Sequence, residues 1–199
     1  MKRLSDITGA ALALTLLSPL MAAIAVVIKL DDGGPVFFAQ NRMGRGFRAF
    51  RLYKFRTMAA DAAETGLSIT AAGDPRITRV GSFLRRTKLD ELPQLINVIK
   101  GDMSLVGPRP EVAKYVFLFR REYEDVLAVR PGMTDYASLE FYDEQKLLAT
   151  YADRERAYVE ELLPRKLELY YDYLRRRGFW TDASIIARTF KRSFSRRPA

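Results

Sequence analysis

A chain of 199 residues is long enough to enclose one hydrophobic core, with room for an appendage. It contains no cysteine and no histidine, which excludes disulfides, thiolate nucleophiles, cysteine zinc sites and imidazole general bases. Its 33 basic against 24 acidic residues leave a formal charge of +9, which favours an anionic partner such as lipid headgroups, nucleotide phosphates or nucleic acid.

Between Asp6 and Lys29 lies an uncharged run of 22 residues. As a straight helix it would rise about 33 Å, enough to cross a hydrocarbon core. A cleaved signal would account for Lys2, Arg3 and Ala23-Ile24-Ala25, but the run continues to Ile28 and no cysteine framework follows. A spanning helix calls for basic residues on one flank. Here Lys2 and Arg3 precede the run, and Lys29, Arg42, Arg45, Arg48 and Arg51 follow it. A re-entrant hairpin, entering the bilayer and returning to the same side, accounts for both flanks. Ser18-Pro19 supplies the break, because proline removes one backbone donor and a serine hydroxyl can satisfy the carbonyl so freed. The chain thus divides into a membrane anchor at 1–30 and a cytoplasmic catalytic domain at 31–199.

Asp31-Asp32-Gly33-Gly34-Pro35 reads as a turn, followed by a strand at 36–40 and a return strand within 47–58 across Gly44-Arg45-Gly46. This small β-hairpin interleaves Arg42, Arg45, Arg48, Arg51, Lys54 and Arg56 with Phe47, Phe50, Tyr53 and Phe55. Such alternation suits single-stranded nucleic acid or a membrane interface, and the adjoining apolar run favours the interface over nucleic acid. Residues 61–73 read as a short helix and loop, and 77–86 as a further helix.

Arg85-Arg86-Thr87-Lys88-Leu89-Asp90-Glu91-Leu92-Pro93-Gln94-Leu95 is the most informative stretch. Leu89, Leu92, Leu95, Ile96 and Ile99 recur at helical spacing and predict one helix ending at Gly101. Thr87 and Asp90 have the form of a capping box. Successive helical residues point about 100° apart, so Glu91 cannot serve the same cap and needs its own explanation. Further on, Pro108-Arg109-Pro110 holds an arginine extended, as suits a phosphate, against the alternative of an ordinary surface turn. Residues 112–129, 152–163 and 164–177 read as helices. In the last segment Trp180, Ala183, Ile186, Ala187, Phe190 and Phe194 share one face, flanked by Arg188, Lys191, Arg192, Arg196 and Arg197. This pattern fits an amphipathic interfacial helix or one packed on the domain core. The final 195–199 read as a frayed tail. No P-loop or dinucleotide fingerprint occurs.

In order along the chain these motifs resemble the bacterial sugar transferases, also called monotopic phosphoglycosyl transferases. The resemblance rests on the anchor with Ser18-Pro19, Tyr53-Lys54-Phe55-Arg56-Thr57-Met58, Asp74-Pro75-Arg76-Ile77-Thr78-Arg79-Val80-Gly81, Leu89-Asp90-Glu91-Leu92-Pro93-Gln94, residues 101–110 and Arg130-Pro131-Gly132-Met133-Thr134. It implies a mostly helical α+β fold: a re-entrant membrane helix hairpin, a small sheet and a helical body with interfacial helices, in a minimal catalytic form. It further implies an enzyme at the cytoplasmic face of the bacterial inner membrane. Such an enzyme moves a phospho-sugar from a UDP-sugar to polyprenol (undecaprenyl) phosphate and releases UMP. An Asp-Glu dyad with Mg²⁺ would fall on Asp90 and Glu91, with Asp90 as nucleophile and both as metal ligands. Lys88 departs from the pattern, where a small hydroxyl residue is expected. Whether the chain forms a homodimer is left open.

The chemistry suits these residues. An aspartate is ionised at neutral pH without a general base, which agrees with a chain lacking histidine. Its difficulty is repulsion from the diphosphate, roughly 4 kcal/mol for unit charges 4 Å apart at an effective dielectric of 20. A divalent cation held by Glu91, with Arg109, Arg56, Lys54 and Arg85 on the phosphates, would offset it. A metal-dependent phosphohydrolase would use the same dyad with water as acceptor. A non-enzymatic scaffold binding anionic lipid would leave the dyad and Arg109 without a purpose.

Overall fold

The computed structural model describes residues 2–59 and 74–194. The expectations for 61–73 and 195–199, and for the side chain of Phe194, lie outside what is described. Helix α1, Lys2–Asp32, runs through Pro19 as a single element. The two separate limbs expected of a hairpin are therefore one helix here. Pro19 has no N–H for the carbonyl of Thr15, and the hydroxyl of Ser18 donates to that carbonyl at 2.8 Å. Only 11% of the most apolar stretch of α1 is covered by the protein, so the helix is long and apolar enough to cross a membrane without being a core helix. Leu12, Leu16 and Leu20 are exposed near its middle.

Both ends of α1 are tied to the body. Near the start, Lys2 bonds Val106 O and Asp182, and Arg3 bonds Val98 O and Ile99 O. Buried Asp6 accepts from Ser104 Oγ at 2.8 Å and from the backbone N–H of Leu105 at 3.1 Å. Near the end, Asp32 pairs with Arg56. Ala10 packs with Leu52, Leu95, Val98 and Met103, while Ile24 and Ile28 pack with Phe55 and Leu84.

The expected hairpin forms, with β1 Phe37–Met43 antiparallel to β2 Ala49–Phe55 and Phe37 opposite Phe55. Gly46 turns the chain at a φ of 64°. Helix α2, Arg79–Thr87, starts at Thr78, whose hydroxyl caps Gly81 N at 2.9 Å.

The capping box expected next does not form. Thr87 Oγ1 bonds back to Phe83 O and Leu84 O, and Lys88 takes a left-handed φ of 59° that ends α2. Leu89–Glu91 is then a separate 3-10 turn, and α3 is only Gln94–Lys100, closed by Gly101 at a φ of 96°. Its buried apolar side chains are Leu95 and Val98, whereas Ile99 is exposed.

A second pair, β3 Ser104–Val106 and β4 Gly132–Thr134, is parallel. It was not read from the sequence, since three-residue strands carry no legible alternation. The expected helix at 112–129 is broken at Phe119 into α4 Ala113–Leu118 and α5 Arg120–Val126. After α6 Tyr136–Glu140, α7 Glu144–Ala149 and α8 Arg154–Ala157, a π turn at Tyr158–Leu162 leads into α9 Leu163–Arg176. The wide turn accommodates Pro164, which lacks a donor for the preceding turn. Tyr115, Tyr123, Leu163 and Tyr170 fill the main core beneath these helices. Helix α10, Phe179–Phe194, buries Ile185 and turns Phe179, Trp180, Ala183, Ala187 and Phe190 outward.

Gly107 and Gly132 meet where β3 and β4 lead to the Pro108-Arg109-Pro110 segment. A Cβ on Gly132 would stand 2.0 Å from Gly107 N. Gly132→Ala should lower stability by about 2 kcal/mol or more, read as a lower urea midpoint. Gly178→Ala, with open space around it, should leave the midpoint unchanged.

Candidate active site

The 3-10 turn between α2 and α3 buries Asp90 and half-buries Glu91. Two ionisable carboxyls in succession, withdrawn from water, require cations beside them. Arg109 supplies a two-pronged contact, its Nη1 donating to Glu91 Oε2 at 3.1 Å and its Nη2 to Oε1. Lys54 Nζ, from β2, reaches Glu91 Oε1 at 3.4 Å. The structure thus brings Asp90, Glu91, Arg109 and Lys54 together from segments far apart in sequence.

Burial pushes the Glu91 carboxyl up, but Arg109 and Lys54 outweigh it and hold the group well below the usual carboxylate range. Asp90 moves the other way. Burial first, and then the charge of Glu91, raise its carboxyl, with Lys54, Lys88 and Arg85 opposing. An ordinary surface aspartate is therefore not what the site holds: Asp90 is the more basic member of the pair, and its Oδ1 is buried without a hydrogen-bond partner among the described residues. Burial lowers Lys54, and the Glu91 charge raises Arg109.

The remaining candidates are placed differently. Arg85 Nε donates to Thr57 Oγ1 at 2.7 Å, and burial lowers its guanidinium while Asp90 opposes. Arg56 is committed to Asp32 and is buried against Gly34, so it ties the end of α1 to β2. Ser18 and Pro19 lie on α1, in its exposed apolar middle.

Residues not singled out from the sequence fix Arg109 from behind. Asp135, fully buried, accepts from Arg109 N at 3.1 Å and caps α6 at Ser138 N. Glu111 accepts from Arg42 Nη1 at 2.8 Å and from the Tyr158 hydroxyl, while its carbonyl takes Met43 N at 2.8 Å. Asn97 bonds Tyr53 N and Arg51 O, joining α3 to β2 beside Lys54. An asparagine on a buried helix face was the one legible signal among these, because an amide there must find backbone partners.

A family model described as bacterial sugar transferase matches residues 1–196. The chain belongs to the bacterial sugar transferase family. Among its relatives, the UDP-N-acetylgalactosamine-undecaprenyl-phosphate N-acetylgalactosaminephosphotransferase of Aeromonas hydrophila is 42% identical over 193 residues, covering 96% of this chain and 43% of that protein. The UDP-glucose:undecaprenyl-phosphate glucose-1-phosphate transferase of Escherichia coli (strain K12) is 35% identical over 202 residues, covering 100% and 41% respectively. The protein of the same description from Caulobacter vibrioides is 36% identical over 191 residues, covering 94% and 67%. The chain therefore spans less than half the length of the first two relatives.

In this bacterial sugar transferase the Glu91 pair has a stability signature. Glu91→Gln removes the carboxylate that pairs directly with both Arg109 and Lys54 and should cost about 3 kcal/mol at pH 7. A carboxyl lowered on folding stabilises above the unfolded value, here 4.5, and loses that contribution as pH falls through the folded value. The urea midpoints of parent and variant should separate at pH 7 and converge in acid. Coincident midpoints at pH 7 would remove the pair from the stability of the site.

Proposed function

We propose that this chain transfers a phospho-sugar from a UDP-sugar to polyprenol phosphate, releasing UMP, with Asp90 as nucleophile. The observation that carries the proposal is the buried, unpartnered Oδ1 of Asp90 beside a Glu91 held by Arg109 and Lys54, in a chain of this family. The named activities of the relatives, undecaprenyl-phosphate transfer of N-acetylgalactosamine or glucose phosphates, support it.

The raised basicity of Asp90 strengthens its carboxylate as a nucleophile, and burial spares it the removal of a water shell. In the first half-reaction a carboxylate oxygen bonds to the β-phosphorus. The bond from that phosphorus to the bridging oxygen breaks, and UMP departs with the electron pair. In the second, an oxygen of polyprenol phosphate attacks the same phosphorus and the carboxylate leaves, regenerated. Neither step needs a base, which suits a site without histidine. In this proposal Arg109, held through its backbone N–H by Asp135, passes part of its guanidinium to the donor's phosphate oxygens, and Lys54 shares that charge.

Among the described residues no group of three or more metal-binding side chains gathers. Mg²⁺ commonly takes one or two carboxylates and completes its shell with phosphate and water, so the oxygen donors of Asp90 and Glu91, one of them unpartnered, fit it. When bound by Glu91 and Asp90 it would neutralise charge on the diphosphate.

Two further features belong to this proposal. The body holds both ends of α1 and leaves most of its apolar middle exposed, which supports an anchor that enters and leaves on one face, assigned in this proposal to the cytoplasmic side. A straight crossing would carry one end out of reach of the body. The outward apolar side chains of α10, with Arg188 and Lys191 on their flank, support its lying in the bilayer interface.

Mixing enzyme, Mg²⁺ and the correct UDP-sugar without acceptor should release UMP up to the amount of enzyme and add one phospho-sugar to a peptide containing Asp90. Asp90→Asn should abolish both. UMP appearing only when both substrates are present would replace the covalent step by direct transfer, and steady UMP release without acceptor would make water the acceptor.

Because the chain has no native cysteine, single cysteines at Ser5 and Asn41, both exposed, report topology cleanly. Both should react with an impermeant thiol reagent only from the cytoplasmic side. Opposite sides would establish a spanning helix.

A further inference from the structure

Among the described residues, Arg188, Lys191 and Arg192 of α10 form no ion pair. Arg188, Lys191 and Arg192 line a cleft of about 800 Å³ with Arg176 from α9, against α6. Glu140 and Asp172 also border it, but Arg165 engages Glu140 and Arg175 engages Asp172. Lys191 lies about 20° around the helix from Trp180, so the basic wall of the cleft adjoins the outward apolar face. That juxtaposition suits an amphiphile whose phosphate sits among guanidinium and ammonium groups while its chain follows Trp180 and Phe190.

From the cleft, positive charge continues to the dyad. Arg192 Cζ stands 5.4 Å from the centre of the Tyr142 ring, and Lys88 Nζ stands 5.4 Å from the same ring. Lys88 directly precedes Leu89-Asp90-Glu91, and its charge acts on both carboxyls. A non-glycine residue at a φ of 59° is unfavourable, yet this conformation places the lysine side chain between Tyr142 and the dyad.

We propose that the α10 cleft and the Arg192–Tyr142–Lys88 stack form the binding track for the phosphate of the lipid acceptor, leading it from the bilayer surface to Asp90. The proposal rests on the function argued above. The donor, a soluble nucleotide, has no use for the apolar flank, whereas a polyprenol phosphate matches both sides of the track.

Two measurements test it. In the first, the Asp90 adduct is formed with donor, UMP is removed, and increasing polyprenol phosphate in phosphatidylcholine vesicles discharges the adduct. Arg192→Gln, and Arg188→Gln with Lys191→Gln, should each raise the half-saturating acceptor concentration at least fivefold, with melting temperatures equal to the parent's. Lys114→Gln, an exposed cation elsewhere, should leave it unchanged. In the second, fluorescence of Trp180, the only tryptophan, follows titration with polyprenol phosphate or with polyprenol lacking the phosphate. The variants should weaken the response to the phosphorylated lipid alone. Half-saturation within twofold of the parent overturns the track. So does equal weakening toward both lipids, or a defect seen only when phosphatidylglycerol is added, which would assign the cations to bulk headgroups. If the parent forms no adduct, the proposed function has failed, and the fluorescence titration decides the track by itself.

Discussion

The structure depends on keeping two adjacent carboxyls out of water. Glu91 remains charged because a forked guanidinium and an ammonium face it, and its charge in turn makes Asp90 harder to ionise. Neither partner is local. Lys54 comes from the hairpin and Arg109 from the segment between two prolines, so the pair exists only when β2, the 3-10 turn and that segment are assembled. Removing water from such a group is expensive unless every partner is in place. The surrounding polar contacts can be understood as the means of keeping them there.

Those contacts are partly buried and join side chains both to the backbone and to one another. Asp135 holds the N–H of Arg109, Arg42 and Tyr158 hold Glu111, and Asn97 spans from α3 to the edge of β2. Each satisfies a polar group that would otherwise be stranded, and each restricts one segment that carries a charge of the site. Order at the site thus arises from the main-chain and side-chain hydrogen bonds around it as well as from the ion pairs within it.

Much of this was legible in the sequence, and the rest was hidden for identifiable reasons. Alternation and a glycine turn marked the hairpin, flanking prolines marked Arg109, and the adjacency of Asp90 and Glu91 marked the dyad. Thr87 misled because a hydroxyl near a helix end can bond back to the preceding turn as readily as it caps the next. The Arg56–Asp32 pair was invisible because a basic residue in a basic strand gives no sign of a carboxylate 24 positions earlier. Asp135 was overlooked because one acidic residue in a loop has no period to betray it. Lys88 was noticed as a departure, but the ring it faces, Tyr142, lies far along the chain. What sequence pattern conveys well is what repeats or is punctuated by glycine and proline, and long-range pairing does neither.

The hydrogen bond from Ser18 to Thr15 O has a consequence for permeability. Proline in an apolar helix strands a carbonyl, and a stranded carbonyl in hydrocarbon attracts a water molecule, which can draw others after it and thin the surrounding lipid. Here a hydroxyl from the same turn occupies that acceptor at 2.8 Å. In a bilayer, the middle of the helix would then offer acyl chains an almost unbroken hydrocarbon surface and give water no foothold. Such an anchor would accommodate its proline without opening a leak.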